Sequence, residues 1–213
     1  WKGVPPPLPD KPLLVFVSHR HEDHFNPAVF ALADRKADIQ FLLGNDFHLT
    51  PHNLTKWQLS PEIAAKCRRC GKHDVFQPLP AVTAETFPST DEGVAWMVTV
   101  NGQSIFHAGD LNWWHWAEED LAWNRNMEAN FKRYTEPLRG RRVDLAMLPL
   151  DSRLKMDGYL GPNYFLNLME VRRFLPMHQW EDFAFTDEFL SAYPQFAPIT
   201  VKIHRDGEFL GEL

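Results

Sequence analysis

Residues 13–24 read LLVFVSHRHEDH, and this short stretch carries most of what the sequence says about the fold. Its first half, Leu13–Val17, is a continuous apolar run bounded by Pro12 and Ser18, which is typical of a buried strand. The second half contains four potential metal ligands within six residues: His19, His21, Asp23 and His24. The stretch therefore predicts a metal site at the end of a core strand.

The spacing of these four side chains suggests how they divide. In an extended segment residues i and i+2 point the same way, so His19 and His21 can hold one metal together. Asp23 and His24 come after the chain turns and can face a second metal. Imidazole and carboxylate groups are ordinary ligands of Zn²⁺. A polar loop that is His-rich by chance is the alternative, and the dense pattern directly after a strand argues against it.

Outward from this stretch, the apolar pattern predicts strands and helices in alternation. Asn26-Pro27 starts a helix, and Asn101-Gly102 is a strong hairpin signal. A longer helix, 116–134, carries Trp123, Met127 and Phe131 on one face. The predicted strands that follow the first one are 38–43, 75–77, 81–87, 94–100, 104–107 and 143–148. This order favours a layered α/β fold with sheets inside and helices outside, and we expect residues 1–213 to form one domain.

Several segments give weaker predictions. Residues 44–74 look irregular apart from a short helix at 60–66, and 164–171 predicts a weak helix. We expect Thr186 to cap a later helix. Residues 199–204 and 208–210 predict a closing hairpin around Asp206-Gly207.

Composition narrows the function. The chain has 213 residues, a formal net charge of −6 and two cysteines. The acidic charge argues against a nucleic-acid substrate, and no apolar run is long enough for a membrane span. The cysteine count suits a reducing compartment, so we expect a cytoplasmic protein. We also expect a small-molecule substrate. Nothing in the sequence indicates the oligomeric state.

The motif His-x-His-x-Asp-His resembles the signature of the metallo-β-lactamase superfamily. Three later segments resemble further elements of that superfamily: Ile105–Asp110 a strand ending in Gly-Asp, Val143–Pro149 the next strand, and Pro176–His178 the strand that carries the last His ligand. The Pro-Met-His ending looks most like the branch that contains ascorbate-phosphate lactonase and N-acyl-phosphatidylethanolamine phospholipase D.

This resemblance implies a four-layer αββα sandwich and a metal-dependent hydrolase acting on a small ester, lactone or phosphodiester. Two divalent ions are implied, with Zn²⁺ favoured and Mn²⁺ or Fe²⁺ as alternatives. By position, His19 and His21 would hold the first metal, Asp110 would bridge, and Asp23, His24 and His178 would hold the second. A water activated between the metals would attack the substrate, with Asp23 orienting it or relaying a proton.

Two departures from the superfamily pattern qualify this expectation. A further His is usual between the first motif and the Gly-Asp strand, but residues 88–93 contain none. Asp91 is expected to replace this His, because its carboxylate can bind a metal. An oxygen ligand there would shift the metal preference toward Mn²⁺ or Fe²⁺. An N-terminal hairpin usually precedes the first strand, and here only a proline-rich lead does, so we expect the hairpin to be missing or trimmed.

Other residues have two interpretations each. Trp113 and Trp114 follow Asp110 and predict a wall of the substrate cleft, or else a plug for the core. Arg153 predicts a contact with a substrate carboxylate or phosphate, or else a surface ion pair. Cys67 and Cys70 resemble half a zinc knuckle, but an exposed loop is favoured. The competing function is a mononuclear or non-catalytic metal-binding protein of the same fold.

Overall fold

The structure, a computed structural model, describes residues 8, 10–208 and 210. One of its two sheets has three parallel strands in the order β1-β2-β3. These strands are β1 (Leu13–Val17), β2 (Ile39–Leu43) and β3 (Cys67–Arg69). The apolar run that opens the metal motif is therefore a core strand, as the sequence predicts.

The second sheet has six strands in chain order. Its first four strands are antiparallel neighbours, whereas the last three run parallel to one another. The strands are β4 (Val75–Leu79), β5 (Val82–Pro88), β6 (Val94–Val100), β7 (Gln103–His107), β8 (Arg142–Pro149) and β9 (Glu170–Met177). The parallel arrangement brings the carboxyl ends of β7, β8 and β9 to one edge of the sheet.

Helices cover the outer faces of both sheets. They are α1 (Leu32–Arg35), α2 (Pro51–Lys56), α3 (Pro61–Ala64), α4 (Leu121–Thr135), α5 (Leu160–Leu168) and α6 (Phe185–Ala192). A 3₁₀ turn, Pro27–Ala31, leads into α1, and the Asn26 side chain caps it at the predicted position. Asp120 caps α4 by accepting a hydrogen bond from the Trp123 amide, so this helix begins later than residue 116.

Three apolar clusters separate the layers, and β6 shows how. Val94, Trp96 and Val98 point to the other sheet and pack with Leu42 of β2. Ala95 and Met97 point the opposite way, into the cluster beneath α4, α5 and α6. A third cluster fills the space between the three-stranded sheet and the helices of residues 27–64. The order is helices, sheet, sheet, helices, which confirms the predicted αββα fold class.

The segment 44–74 is more regular than predicted. It contains α2 as well as α3, and Cys67–Arg69 forms β3 instead of an exposed loop. Cys67 packs in the cluster between this sheet and its helices, whereas Cys70 is buried between the two sheets. The two thiols therefore face different layers and do not form half of one zinc site.

Near the C-terminus three predictions were wrong in detail. Helix α5 ends at Leu168, and the residues from Glu170 onward pair with β8 as a strand. Thr186 lies inside α6, where its hydroxyl accepts a hydrogen bond from Gln179 instead of capping the helix. In the described part of 199–210 no hairpin forms, because Thr200 makes a parallel bridge to Phe174 instead; residue 209 lies outside the described part.

The expected absence of an N-terminal hairpin concerns residues 1–7, which lie outside the described residues, as does residue 9. None of the helices in the described part combines the length and the apolar composition that a bilayer crossing requires.

The burial of both cysteines leads to a first prediction. Desolvation raises the pKa of the Cys67 and Cys70 thiols from 9.0 to about 11. A raised pKa leaves less of the reactive thiolate at any given pH, so native protein should react with iodoacetamide very slowly at pH 8. The rate should rise only as the pH approaches 11. Protein unfolded in guanidinium is the control and should react at the rate of an ordinary thiol; equal rates in both states would contradict the prediction.

Candidate metal centre

The candidate site lies where four strands end. The loop His19–His24 follows β1, Asp110 follows β7, Asp151 follows β8 and His178 follows β9. Because β7, β8 and β9 are parallel neighbours, their carboxyl ends meet at one edge, and β1 reaches the same edge from the facing sheet. Topology alone therefore gathers residues that are up to about 160 positions apart.

Glycines allow the two sheets to approach closely at this edge. A Cβ on Gly109 would lie 2.7 Å from the Ser18 Cβ, and one on Gly93 would lie 2.1 Å from the Ser18 carbonyl oxygen. Gly93 also has a φ of +71°, which disfavours any residue with a side chain. Beside it, the Val94 amide donates to the Ser18 carbonyl at 3.1 Å. This contact fixes the start of the His loop against β6.

Asp110 is at the centre of the cluster. Its Oδ2 lies 3.0 Å from His19 Nε2, and its Oδ1 lies 2.9 Å from both His24 Nε2 and His178 Nε2. The two last nitrogens are 2.7 Å apart. Asp110 is only 4% exposed, and His19 is fully buried. One carboxylate thus touches three of the predicted imidazole ligands.

Ligand atoms gather in two compact groups. The first contains His19, His21 and Asp110, and the second contains Asp23, His24 and His178. These are the two sets of ligands that the superfamily resemblance implies, and Asp110 lies between them. The Asp23 carboxylate lies 3.6 Å from His24 and 3.7 Å from His178, and it is the most exposed member of the second group.

The residues present fit divalent cations. His19 Nε2 and Asp110 Oδ1 are buried and make no hydrogen bond of acceptable geometry, although they lie close to other polar groups. Buried polar atoms without such partners are costly. Ring nitrogens and carboxylate oxygens that converge in this way are the donor set of Zn²⁺ and similar ions.

The electrostatics of the cluster are dominated by its close contacts. Burial would raise the pKa of the Asp110 carboxyl, but contacts with His178, His19 and His24 outweigh it and hold that pKa far below its usual range. For His178, burial lowers the pKa, and the neighbouring Asp110 and Asp151 carboxylates raise it to about 9. These contacts therefore favour the ionised form of the Asp110 carboxyl.

Asp91, the predicted substitute for the expected His, is near but not inside the first group. Its Oδ2 lies 3.8 Å from His21 Nδ1. Burial and the nearby Asp110 raise the pKa of Asp91, which marks a place where negative charge is crowded. Glu92, which was not predicted as a ligand, lies 4.0 Å from the other nitrogen of His21. The structure thus offers two carboxylates at this position.

Asp151 contacts the candidate ligand His178, a role that was not predicted from the sequence. It is fully buried, and its Oδ2 lies 3.3 Å from His178 Nδ1. The Arg153 guanidinium and the Trp180 indole donate to the same carboxylate. Burial would raise the pKa of Asp151, but His178 and Arg153 lower it to about 2. A carboxylate on Nδ1 fixes the ring so that Nε2 faces the metal groups.

The backbone beyond β9 is strained around this contact. His178, Trp180 and Glu181 all have positive φ, at 61°, 49° and 66°. Side chains disfavour this region, and such strain collects at functional sites. The contacts with Asp151 help to hold His178 and Trp180 in place.

We predict that Asp151→Asn lowers the affinity for the metal bound near His178 by about 10- to 100-fold, because the amide no longer holds Nδ1–H as an anion does. Competition titration with a chromophoric chelator measures this. Asp157→Asn is the matched control, since that carboxylate contacts His115 instead. Unchanged affinity in Asp151→Asn would show that Asp151 does not position His178.

A cleft of about 850 Å³ opens over both ligand groups. Trp114, Trp116, Trp123 and Trp180 line it together with Arg153, so an aromatic wall is present. The rings of Trp114 and Trp116 are stacked at 6.2 Å with planes 7° apart. Trp114 and Trp116 belong to the aromatic stretch 111–116 that was predicted to form this wall, whereas Trp123 and Trp180 were not predicted as cleft residues.

The prediction for Trp113 needs correction. Its ring packs with Phe131 and Tyr164 in the cluster beneath α4 and α5, and it does not line the cleft. The neighbouring side chains of Trp113 and Trp114 point to opposite sides, so of these two only Trp114 lines the cleft. The alternative of a core plug describes Trp113 better.

Comparison with known proteins finds solved structures with a similar fold. The sequence matches no protein-family model and no curated protein. Solved structures that resemble it include a candidate metal-dependent hydrolase from Parabacteroides distasonis, with a TM-score of 0.60 and 15% identity over 92% of this chain and 78% of that one. CmlA, a diiron β-hydroxylase from Streptomyces venezuelae, has a TM-score of 0.62 and 9% identity over 92% of this chain and 44% of that one.

A looser match is the metallo-β-lactamase fold protein YhfI from Bacillus subtilis, with a TM-score of 0.43 and 11% identity over 78% of this chain and 64% of that one. The fold of this chain is metallo-β-lactamase-like. This assignment rests on the four layers and on the candidate ligand residues at the carboxyl ends of β1, β7 and β9. At identities this low the comparisons establish the fold alone.

Proposed function

We propose that this protein is a metal-dependent hydrolase that uses two divalent ions and acts on a small ester, lactone or phosphodiester. The observation that carries the proposal is the pair of ligand groups that meet at Asp110 on the floor of an open cleft. Similarity to a candidate metal-dependent hydrolase supports it at the level of the fold.

His19, His21 and Asp110 would hold the first ion, and Asp23, His24, His178 and the shared Asp110 the second. When bound, such ions would supply a water molecule of lowered pKa and a polarising charge for the oxygen of the scissile group. Asp110, whose pKa its His neighbours lower, would balance part of their charge. Asp23 faces the cleft with a partly exposed carboxylate, so it can accept a proton from the attacking water and pass it to the leaving group.

Zn²⁺ is the proposed metal, with Mn²⁺ or Fe²⁺ as alternatives. The two carboxylates near His21, Asp91 and Glu92, supply oxygen where a third nitrogen would favour zinc. Oxygen ligands suit Mn²⁺ and Fe²⁺. One of the two structures with the higher TM-scores is a diiron protein, which is consistent with this alternative.

A mononuclear or non-catalytic metal-binding protein is the second candidate. The observation in its favour is that the first ligand group is incompletely enclosed. The His21 side chain is 44% exposed, and Asp91 Oδ2 lies 3.8 Å from His21 Nδ1. Metal content separates the two: about two equivalents per chain support the hydrolase, and one or fewer support the alternative.

The test is hydrolysis by protein stripped with a chelator and then reloaded with Zn²⁺, Mn²⁺ or, anaerobically, Fe²⁺. A carboxyl ester, a lactone and a phosphodiester form the substrate panel. We expect turnover of at least one member only after reloading, and its loss in His21→Ala but not in His52→Ala, an exposed His outside the cleft. Turnover that persists in stripped protein, or none in any fully loaded sample, would contradict the proposal.

Two narrower proposals go with this one. The Pro176–His178 ending supports the branch that contains ascorbate-phosphate lactonase and N-acyl-phosphatidylethanolamine phospholipase D. Both cysteines are free, which is consistent with a reducing compartment such as the cytoplasm.

A further inference from the structure

Arg153 in the cleft wall has a donor edge that its contact with Asp151 does not use. Arg153 follows β8 and lines the cleft beside His21, Asp23 and His178. The centre of its guanidinium lies 4.4 Å from the ring centre of Trp180 and 5.6 Å from that of Trp116. Both distances are in the cation–π range. The side chain is nonetheless 46% exposed, so it is fixed in place and open to the cleft.

Only one edge of the guanidinium is in use. Nε donates to Asp151 at 2.9 and 3.1 Å, and Nη2 donates to the same carboxylate at 2.6 Å. Guanidinium has five N–H donors. Within residues 8, 10–208 and 210, no hydrogen bond engages Nη1. The edge formed by Nη1 and the second Nη2 proton can therefore take a carboxylate or phosphate with two parallel hydrogen bonds.

Several apolar side chains line the cleft together with Arg153. Trp116 lies 5.6 Å from the guanidinium, and Trp123 and Met127 line the same cleft. Among the described residues that line the cleft, Arg153 is the only Lys or Arg, and the acidic residues Glu22, Asp23 and Asp91 lie toward the ligand groups. Apart from the proposed metal ions, a bound molecule would thus meet one fixed guanidinium near apolar side chains.

We propose that Arg153, held between Trp116 and Trp180, is an anion subsite that selects substrates with a carboxylate or phosphate group attached to an apolar body. This inference rests on the proposed function, because it assigns the part of the substrate that lies away from the scissile bond. The Asp151 contact orients the guanidinium, and both indole rings lie within cation–π range of it.

Isothermal titration of metal-loaded protein with three small probes tests the subsite: benzoate, phenylphosphonate and the neutral benzamide. None of the three needs to be hydrolysed. We expect both anions to bind at least about tenfold more tightly than benzamide. Tighter binding of benzoate would indicate a carboxylate as the natural anionic group, and tighter binding of phenylphosphonate would indicate a phosphate.

Variants assign the binding to Arg153. Arg153→Gln should weaken both anions by about 10- to 100-fold, and Arg153→Lys, which keeps the charge but lacks a second edge, by about tenfold. Arg139→Gln is the matched control, because Arg139 is likewise paired through Nε and Nη2, with Glu136, and lies outside the cleft. Trp116→Leu leaves the Arg153–Asp151 pair intact and should weaken all three probes.

The subsite proposal is overturned if both Arg153 variants bind the anions as tightly as Arg139→Gln, since the anions would then bind the metals directly. It is equally overturned if benzamide binds as tightly as benzoate. Metal content and hydrolysis are measured on the same samples. Anion binding that depends on Arg153, without metal-dependent hydrolysis, would therefore reject the proposed function and retain the subsite. Metal-dependent hydrolysis without anion binding that depends on Arg153 would reject the subsite and retain the proposed function.

Discussion

Asp110→Asn should abolish hydrolysis and reduce metal content from about two equivalents per chain to one or fewer. The carboxylate lies within 3.0 Å of His19, His24 and His178, and it is the only acidic member of the first ligand group. An amide at this position carries no charge and presents one oxygen instead of two. The loss should exceed the 10- to 100-fold typical of residues that only support a ligand, and we expect about 1000-fold or more in turnover.

The control for this experiment is Asp144→Asn. Asp144 lies near the start of β8, at the opposite end from the site, and accepts hydrogen bonds from Ser104. It should retain both metals and most of the activity. Metal analysis and turnover are measured on the same preparations. Two equivalents of metal in Asp110→Asn would show that this carboxylate does not link the two groups.

Trp96→Ala should destabilise the protein by about 3–5 kcal/mol. Trp96 is 1% exposed and packs between the two sheets, with its ring 5.1 Å from that of Phe16 on β1. Its indole N–H donates to the Val17 carbonyl at 3.4 Å, directly before the metal loop. Truncation leaves a cavity between the sheets. Many domains have only about 5–15 kcal/mol of stability, so a change of this size is easily measured.

Urea denaturation of metal-free protein measures this effect without a contribution from metal binding. Val75→Ala serves as the control, because Val75 is 70% exposed on β4 and should change stability by less than about 0.5 kcal/mol. Equal midpoints for Trp96→Ala and Val75→Ala would contradict the packing of the two sheets through Trp96.

Much of the fold could be predicted because its strands are apolar runs with clear boundaries. Residues 94–100 and 13–17 form strands at the predicted positions. The boundary between α5 and β9 could not be placed, since 164–171 contains apolar residues that suit either element. What makes Glu170 the start of a strand is its pairing with Arg142 of β8, which is a tertiary contact. Strand β3 was missed for the same reason.

The site shows the same division. The candidate ligands His19, His21, Asp23 and His24 were predicted from their spacing after a strand, whereas Asp110 and His178 came from the superfamily resemblance. The contact of Asp151 with His178 was not predicted, because two loops that are 27 residues apart meet only when β8 and β9 pair in parallel. The direction of Trp113 was also beyond the sequence, because a run of aromatic residues carries no sign of which ring faces the core.

Anomalous diffraction from crystals of zinc-loaded protein, recorded at the zinc edge, would locate the metals of the proposed two-ion centre. We predict two peaks per chain, one among His19, His21 and Asp110 and one among Asp23, His24 and His178, with Asp110 contacting both. A protein that shows no peak at these residues, or that binds its zinc elsewhere, would contradict the proposed centre.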